Sequence, residues 1–252
     1  HVDSAQELYA LLPAMGDANG WVTIGPATLP PDLGELSVEA MKETFLEALA
    51  PTVAFHNATV AAQRTRLLQV LGAKTPPGSD DRAFVARMAA YYGLEGGARL
   101  PALADSLRAL LLRADQVPTS IALAQAAIES GWGTSLLSRR RNNVYGQQGW
   151  AAGCRGMFGM AAAQPRSGMA EYPTVAACVG SYIHNLNTHR AYADFRLRRK
   201  QMRERAQPLD PVDLAFGLEE YSTRGWAYIN EVLGIMEYNR LERFDIAPAA
   251  PV

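Results

Sequence analysis

Residues Ile121–Gly133, with the sequence IALAQAAIESGWG, combine a run of small and apolar side chains with one carboxylate and two closing glycines. The apolar run is typical of a buried helix, and glycines are residues at which such a helix ends. Pro118 is well suited to the first helical position. The stretch therefore predicts a helix from Pro118 to about Ser130, with Glu129 in its last turn.

The position of Glu129 favours a protonated carboxyl group. The carbonyl end of a helix carries partial negative charge, which disfavours an ionised side chain there. Apolar neighbours such as Ile128 and Trp132 add desolvation, which acts in the same direction. Both effects raise the pKa, and a carboxyl that stays protonated near neutral pH can donate a proton to the leaving oxygen of a glycoside. The alternative is an ordinary surface glutamate near a helix end.

The rest of the sequence indicates a mainly α protein with one small β-lobe. Residues 144–172 are rich in glycine and aromatic residues and lack helical periodicity, which is typical of short strands and turns. Apolar periodicity and capping residues predict the following helices: Ser4–Met15, Ser37–Gly72 with an interruption or kink at Pro51, a segment capped by Ser79 or Asp80 that ends near Gly93, Leu100–Arg113, Thr174–Thr188, Asp194–Arg205, Pro211–Glu220 and Trp226–Tyr238. We predict a helical N-terminal extension over residues 1–75, one domain over 76–245 and a tail over 246–252.

Composition argues against several classes of function. The 252 residues carry a formal net charge of −1, so the whole molecule has no field that would attract nucleic acid or an acidic membrane. The basic run Arg196–Arg205 is interpreted as a solvated helix face. No apolar stretch reaches the length of a membrane span, and no secretory leader is visible. The chain begins at His1 without a methionine, so we expect a processed or trimmed chain.

The cysteines and histidines do not predict a metal site. Cys154 and Cys178 flank the β-lobe, and their count fits either one disulfide or two buried thiols. His184 and His189 are five residues apart on a predicted helix and share a face poorly. No cluster has the spacing of a structural zinc site, and no cofactor is predicted.

Several further motifs follow Glu129 in a fixed order. The motif set comprises Ala124–Gly133, Asn142–Gly146, Tyr182–Tyr192 and Leu218–Tyr228. It resembles the bacterial peptidoglycan glucosaminidase family, and the two later motifs resemble the Bax-like branch of that family. The similarity covers about residues 105–240, and a weaker likeness extends over Met41–Leu71.

The resemblance implies an endo-acting β-N-acetylglucosaminidase with a lysozyme-like fold and the peptidoglycan glycan strand as its substrate. It implies that Glu129 is the catalytic acid and that a tyrosine of the late motif, Tyr221 or Tyr228, lines the cleft. We expect a bacterial protein that works as a monomer in the periplasm or elsewhere outside the cytoplasm.

The sequence departs from the family pattern at the second acid. Relatives commonly place a second acidic residue in the β-lobe, whereas here Glu171 is the first acidic residue after Gly146. Glu171 could activate water, and a separation of about 6.5–9.5 Å from Glu129 would predict inversion. A role at the rim of the cleft is the alternative. If no second acid takes part, the N-acetyl group of the substrate could act as nucleophile, with Tyr221 or Tyr228 polarising it or positioning water.

Four residues are candidates for substrate binding. The amide and phenol groups of Tyr145, Gln147 and Asn143 suit sugar hydroxyl and acetamido groups, although Asn142 and Asn143 are favoured as a structural turn. Trp132 could stack on a sugar face or pack beneath the catalytic helix.

Two other functions stay open. A lytic transglycosylase or muramidase could use a single glutamate on the same fold, but the Gly-Leu-Met-Gln-like element usual in those enzymes is missing. A catalytically weakened peptidoglycan-binding protein is the other alternative.

Overall fold

A computed structural model describes residues 27–94, 103–149 and 168–245, and these residues are mainly helical, which confirms the predicted fold class. The described α-helices are α1 (Val38–Gly72), α2 (Ser79–Tyr91), α3 (Leu103–Arg113), α4 (Thr119–Ser130), α5 (Leu136–Arg141), α6 (Val175–Thr188), α7 (Ala193–Glu204), α8 (Pro211–Ala215) and α9 (Trp226–Tyr238). Short 3-10 helices cover Leu33–Glu35, Arg190–Tyr192, Phe216–Tyr221 and Leu241–Phe244. The predicted helix Ser4–Met15 lies outside the described residues.

Helix α1 runs for 35 residues without a break. The Ser37 side chain caps it, as predicted, by accepting a hydrogen bond from the Ala40 amide at 3.3 Å. Of the two effects predicted at Pro51, the interruption is wrong, because proline removes a single backbone N–H and the buried residues Leu49 and Val53 on either side hold the helix in the core, while the kink stays a prediction.

Helix α4 lies in the middle of the larger hydrophobic core. All of its residues from Thr119 to Ala127 are buried, and it packs against α1 and α9. Gly131 ends it in the left-handed conformation with φ of 57°, as the sequence predicted. Buried apolar residues on every face explain why this segment forms a helix despite having no charged residue before its last turn.

A second, smaller core joins the end of α1 to α2 and α3. Leu67 and Val70 of α1 lie against Phe84 of α2 and Leu110 of α3. The predicted cap of α2 is wrong. Ser79 is already the first helical residue and its hydroxyl contacts Asp80, so the N-cap position falls on glycine 78, which has no side chain to cap with.

The predicted helix Pro211–Glu220 is shorter in the structure, where α8 gives way to the 3-10 helix Phe216–Tyr221. Gly217 explains the change, since a Cβ there would lie 2.5 Å from the Cα atom of Phe195. This close approach tightens the chain against α7. Helix α9 has the predicted bounds, whereas the six-residue helix α5 was not predicted because it has no apolar periodicity.

The predicted β-lobe over residues 144–172 is not confirmed. Within the described parts of that range, an isolated antiparallel β-bridge joins Gln148 to Met169. Residues 150–167 lie outside the described residues. No helix in the described ranges is both long and apolar enough to span a membrane.

A buried carboxylate, Asp115, holds the loop that leads from α3 into α4. Arg203 donates to both of its oxygens, at 3.1 Å from Nε and 2.9 Å from Nη2, and Arg64 of α1 lies 3.5 Å away. Arg199 is fully buried and donates at 2.9 Å to the backbone carbonyls of both Asp115 and Gln116. Burial acts to raise the pKa of Asp115, but the charges of the three arginines outweigh it and hold the pKa below its ordinary value.

Two further contacts fix the start of α4. The Asn57 side chain of α1 donates to the Val117 carbonyl at 2.7 Å and accepts from the Val117 amide at 3.0 Å. The Asp245 carboxylate accepts from the Ser120 amide at 2.9 Å. Helix α4 is therefore anchored at its N-terminus by residues from both ends of the described chain.

We predict that Asp115→Asn lowers the free energy of unfolding by about 3–5 kcal/mol, because it leaves buried guanidinium groups without their carboxylate. Urea unfolding at pH 7 measures this loss. The matched control is Asp105→Asn, which breaks an exposed pair with Arg108 and should cost less than about 1 kcal/mol. Equal losses in the two variants would contradict the prediction.

The same carboxylate predicts a dependence on pH. A folded-state pKa below the unfolded value gives stability that is present above the unfolded pKa of about 3.9 and is lost as the pH falls through the folded value. The difference in unfolding free energy between the wild type and Asp115→Asn should therefore shrink as the pH falls below about 4.

Candidate active site

Glu129 lies in the last turn of α4, where the chain reverses sharply. Gly131, Trp132 and Gly133 all have positive φ values, of 57°, 56° and 83°. A Cβ on Gly133 would lie 2.6 Å from Leu29 Cδ1, so the turn is pressed against the core. The Ser130 hydroxyl accepts from the Gly133 amide at 2.8 Å. This turn ends the helix at the point where the Glu129 side chain is half-buried.

Burial raises the pKa of Glu129 above its ordinary value, as the sequence predicted. A hydrogen bond with the Tyr228 hydroxyl and the positive charge of Arg224 act in the opposite direction, and the negative charge of Glu231 adds to the rise. Desolvation is the largest of these effects. The carboxyl is thus held closer to the protonated state than an exposed glutamate.

A chain of buried hydrogen bonds leads to Glu129. The Tyr182 hydroxyl donates to Gln125 Oε1 at 2.6 Å, and Gln125 Nε2 donates to the Tyr228 hydroxyl oxygen at 3.0 Å. Because the Tyr228 oxygen accepts this bond, its own proton is available for the Glu129 carboxyl, with which it is hydrogen-bonded.

Five tyrosines cluster at the site, and two of them, Tyr182 and Tyr228, belong to this chain of hydrogen bonds. The Tyr145 and Tyr182 rings stack with centroids 3.8 Å apart, and the Tyr221 and Tyr228 rings stack at 5.6 Å. Tyr192 lies 5.9 Å from Tyr221, and its pKa is raised to about 12 mainly by burial. Burial also raises the pKa of Tyr221 and Tyr228, so these phenols are neutral donors near neutral pH.

Gly146 forms the wall opposite the end of α4. It has φ of 63°, and a Cβ there would lie 3.0 Å from Glu129 Oε2. The segment before it is fixed by Asn143, whose side chain donates to the Gln147 and Ala170 carbonyls and accepts from the Gln147 amide. The chain thus brings backbone, with no side chain, against the carboxyl group.

The four predicted substrate-binding residues are all buried or partly buried in the structure. Asn143 and Tyr145 are buried, Asn143 by the turn contacts just described and Tyr145 by its stack on Tyr182. Gln147 is partly buried, and its amide contacts the Cys178 carbonyl at 3.3 Å. Trp132 is also partly buried and packs edge-on against Phe45 at 5.6 Å. Binding of sugar by these residues stays a prediction.

Glu171 is exposed, two residues beyond the bridge that joins Met169 to Gln148. Its charge is not among the influences on the pKa of Glu129. Cys178 is a free thiol in the structure, fully buried, and burial raises its pKa to about 12. This free thiol agrees with the alternative in which the two cysteines are not bonded, and Cys154 lies outside the described residues.

The sequence-based prediction missed several residues of the site, among them Gln125, Glu231 and Arg224. Gln125 lies one helical turn before Glu129 on α4, and Glu231 lies three residues after Tyr228 on α9, so helical spacing could have found both. Arg224 lies within the late motif, but its contact with Tyr228 depends on the turn before α9, which no local pattern predicts.

A half-buried carboxyl with a raised pKa, beside neutral tyrosines in a polar cluster, is the kind of site with which glycosidases protonate a leaving group. Comparisons with known proteins agree with this class. The sequence model of the mannosyl-glycoprotein endo-beta-N-acetylglucosaminidase family matches residues 107–241. Protein bax of Escherichia coli strain K12 is 32% identical over 201 residues, which cover 79% of this chain and 70% of the relative.

The chain therefore belongs to the mannosyl-glycoprotein endo-beta-N-acetylglucosaminidase family, in agreement with the resemblance found in the motifs. Gln125, Glu129, Gly146 and Tyr228 all lie inside the matched region. The comparison with solved structures found no match.

We predict that Gly146→Ala lowers the rate of glycan cleavage if Glu129 is the acid, by less than about a hundredfold, because the carboxyl group must move by a few tenths of an ångström and a displacement of about 1 Å costs about a hundredfold. The control is Gly168→Ala, which has a similar φ of 76° but open space around its Cβ. Both variants should lose about 1–2 kcal/mol of stability from the positive φ, measured by urea unfolding. A Gly146→Ala variant as active as Gly168→Ala would show that Glu129 tolerates the added methyl group.

Proposed function

We propose that this protein is an endo-acting β-N-acetylglucosaminidase that cleaves the peptidoglycan glycan strand, with Glu129 as its general acid. The observation that carries the proposal is the environment of Glu129. Its carboxyl group is half-buried, has a raised pKa and lies between Gly146 and Tyr228, inside the region that matches the family. Peptidoglycan lies outside the cytoplasm, and we propose that the protein acts there as a monomer.

In the proposed reaction Glu129 donates its proton to the glycosidic oxygen as the bond to the anomeric carbon breaks. Tyr228 stabilises the carboxylate that remains after the transfer, because its hydroxyl is a donor fixed by Gln125. The hydrogen bonds from Tyr182 through Gln125 to Tyr228 would thus stabilise the Glu129 carboxylate after it has lost its proton.

The second catalytic group has two candidates. Glu171 could activate water from an exposed position, which would give inversion if its distance from Glu129 suits an intervening water. The N-acetyl group of the substrate is the other candidate, with Tyr228 beside it. The Tyr221 hydroxyl already donates to the Tyr145 carbonyl at 3.0 Å, and the Tyr228 proton is directed at Glu129, so either hydroxyl would have to change partner to polarise the N-acetyl group.

We predict that Glu129→Gln lowers the release of new reducing-end N-acetylglucosamine from purified peptidoglycan by about 10²–10⁴-fold, the usual contribution of a general acid. Glutamine has the same shape and no transferable proton, so urea unfolding should show little loss of stability. The control is Glu237→Gln on the exposed side of α9. Undiminished turnover by Glu129→Gln would remove the residue from the mechanism.

The products separate the proposal from its alternatives. Anhydromuramic ends in place of reducing N-acetylglucosamine would assign a lytic transglycosylase, and reducing muramic ends would assign a muramidase. Binding to insoluble peptidoglycan without released fragments would assign a wall-binding protein. Glu171→Gln, measured in the same assay, distinguishes between Glu171 and the N-acetyl group of the substrate as the second catalytic group. A loss as large as that of Glu129→Gln assigns water activation to Glu171, and near wild-type turnover assigns the step to the N-acetyl group.

A further inference from the structure

An exposed ion pair lies beside the hydrogen-bond chain of the site. Arg224 Nη2 is 2.7 Å from Glu231 Oε2, and the two side chains are 51% and 41% exposed. Pairs with this exposure typically contribute between zero and about 1 kcal/mol to stability. The pair therefore contributes little to the stability of the fold. Its position beside Tyr228 suggests another role.

The position of the pair is defined by Tyr228. The Arg224 guanidinium lies over the Tyr228 ring, 5.3 Å from its centroid. Glu231 follows Tyr228 by three residues on α9, so both side chains lie on the same face of that helix. Since the Tyr228 hydroxyl is hydrogen-bonded with Glu129, the pair acts on the proposed acid both through this ring and through its charges.

We propose that Arg224 and Glu231 are positioning residues for Glu129, which as an ion pair hold the Tyr228 ring in place and balance the charge around the carboxyl group. This proposal rests on the proposed role of Glu129 as general acid. Neither residue transfers a proton or bonds to the substrate in it. Both act through Tyr228 and through space.

The two charges act on Glu129 in opposite directions. The positive charge of Arg224 lowers the pKa of Glu129, and the negative charge of Glu231 raises it. Because the two charges are paired, each offsets much of the effect of the other. Removing one of them should leave the other unbalanced and shift the pKa in a direction that is known in advance.

The other titratable groups around Glu129 do not disturb this expectation. Tyr192, Tyr221 and Tyr228 face it from two 3-10 helices and α9, and burial keeps these phenols neutral by raising the pKa of each. Glu220 acts on the pKa of Tyr192 and is not among the influences on Glu129. Among the described residues, Arg224 and Glu231 are thus the charged groups that shift the pKa of Glu129.

The test is a titration of the Glu129 carboxyl carbon by ¹³C NMR in full-length protein, with the signal assigned by its loss in Glu129→Gln. Glu231→Gln should lower the pKa of Glu129 and Arg224→Gln should raise it, which gives two shifts of opposite sign. The double variant Arg224→Gln with Glu231→Gln should return the pKa towards the wild-type value, because both opposing charges are then removed. A residue that only stabilised the fold would not give shifts of opposite sign.

Two single variants of another pair are the matched control. Lys200 and Glu204 form an ion pair of similar exposure, 52% and 59%, at 3.1 Å on α7. Lys200→Gln and Glu204→Gln should leave the pKa of Glu129 unchanged. Shifts of the same sign in Arg224→Gln and Glu231→Gln, or no shift in either, would overturn the proposal.

The dependence of kcat/KM on pH then separates this proposal from the proposed function. If Glu129 is the general acid, the alkaline limb of the profile should move with the NMR pKa, to lower pH in Glu231→Gln and to higher pH in Arg224→Gln. Opposite NMR shifts in a protein that cleaves no glycan would support the positioning role and reject the glycosidase. Glycan cleavage without those NMR shifts would support the glycosidase and reject the positioning role.

Discussion

The contacts of Asp115 join the parts of the chain on which the site depends. Its carboxylate is paired with Arg64 of α1 and Arg203 of α7, and the fully buried Arg199 binds the backbone of the same loop. That loop leads directly into α4. Since a buried carboxylate is stable only with close cationic partners, the three arginines define where the loop lies and therefore where α4 begins.

With its start fixed, α4 determines where Glu129 lies at its other end. The helix is buried over most of its length and cannot slide without breaking the packing of its apolar faces. The turn after it is pressed against Leu29 through Gly133. Glu129 is thus held half-buried in a fixed place. Partial burial would suit the proposed general acid, since it raises the pKa while part of the group stays accessible.

Local sequence patterns predicted the features that local chemistry controls. Ser37 as a cap, Gly131 as a helix end and the bounds of α9 follow from side chains and backbone conformations within one turn of each residue. Two features that the sequence did not predict have distant causes. The shortened helix after Pro211 reflects the contact of Gly217 with Phe195, and the hydrogen bonds from Tyr182 through Gln125 join residues 57 positions apart. The sequence could predict an acid at position 129 with a raised pKa, but not the groups that balance it.

The predicted boundary between an N-terminal extension and the main domain at residue 75 stays a prediction. The packing of α1 shows that residues before this boundary contribute to the core around α4. Helix α1 lies outside the residues that match the family, yet its Phe45 and Val53 share the core of α4. Asn57 holds the Val117 backbone at the start of α4. Removing α1 would expose apolar residues of α4 and leave Asp115 without Arg64. The residues that define the family carry the chemistry of the site, while the geometry of Glu129 depends also on a helix that precedes them.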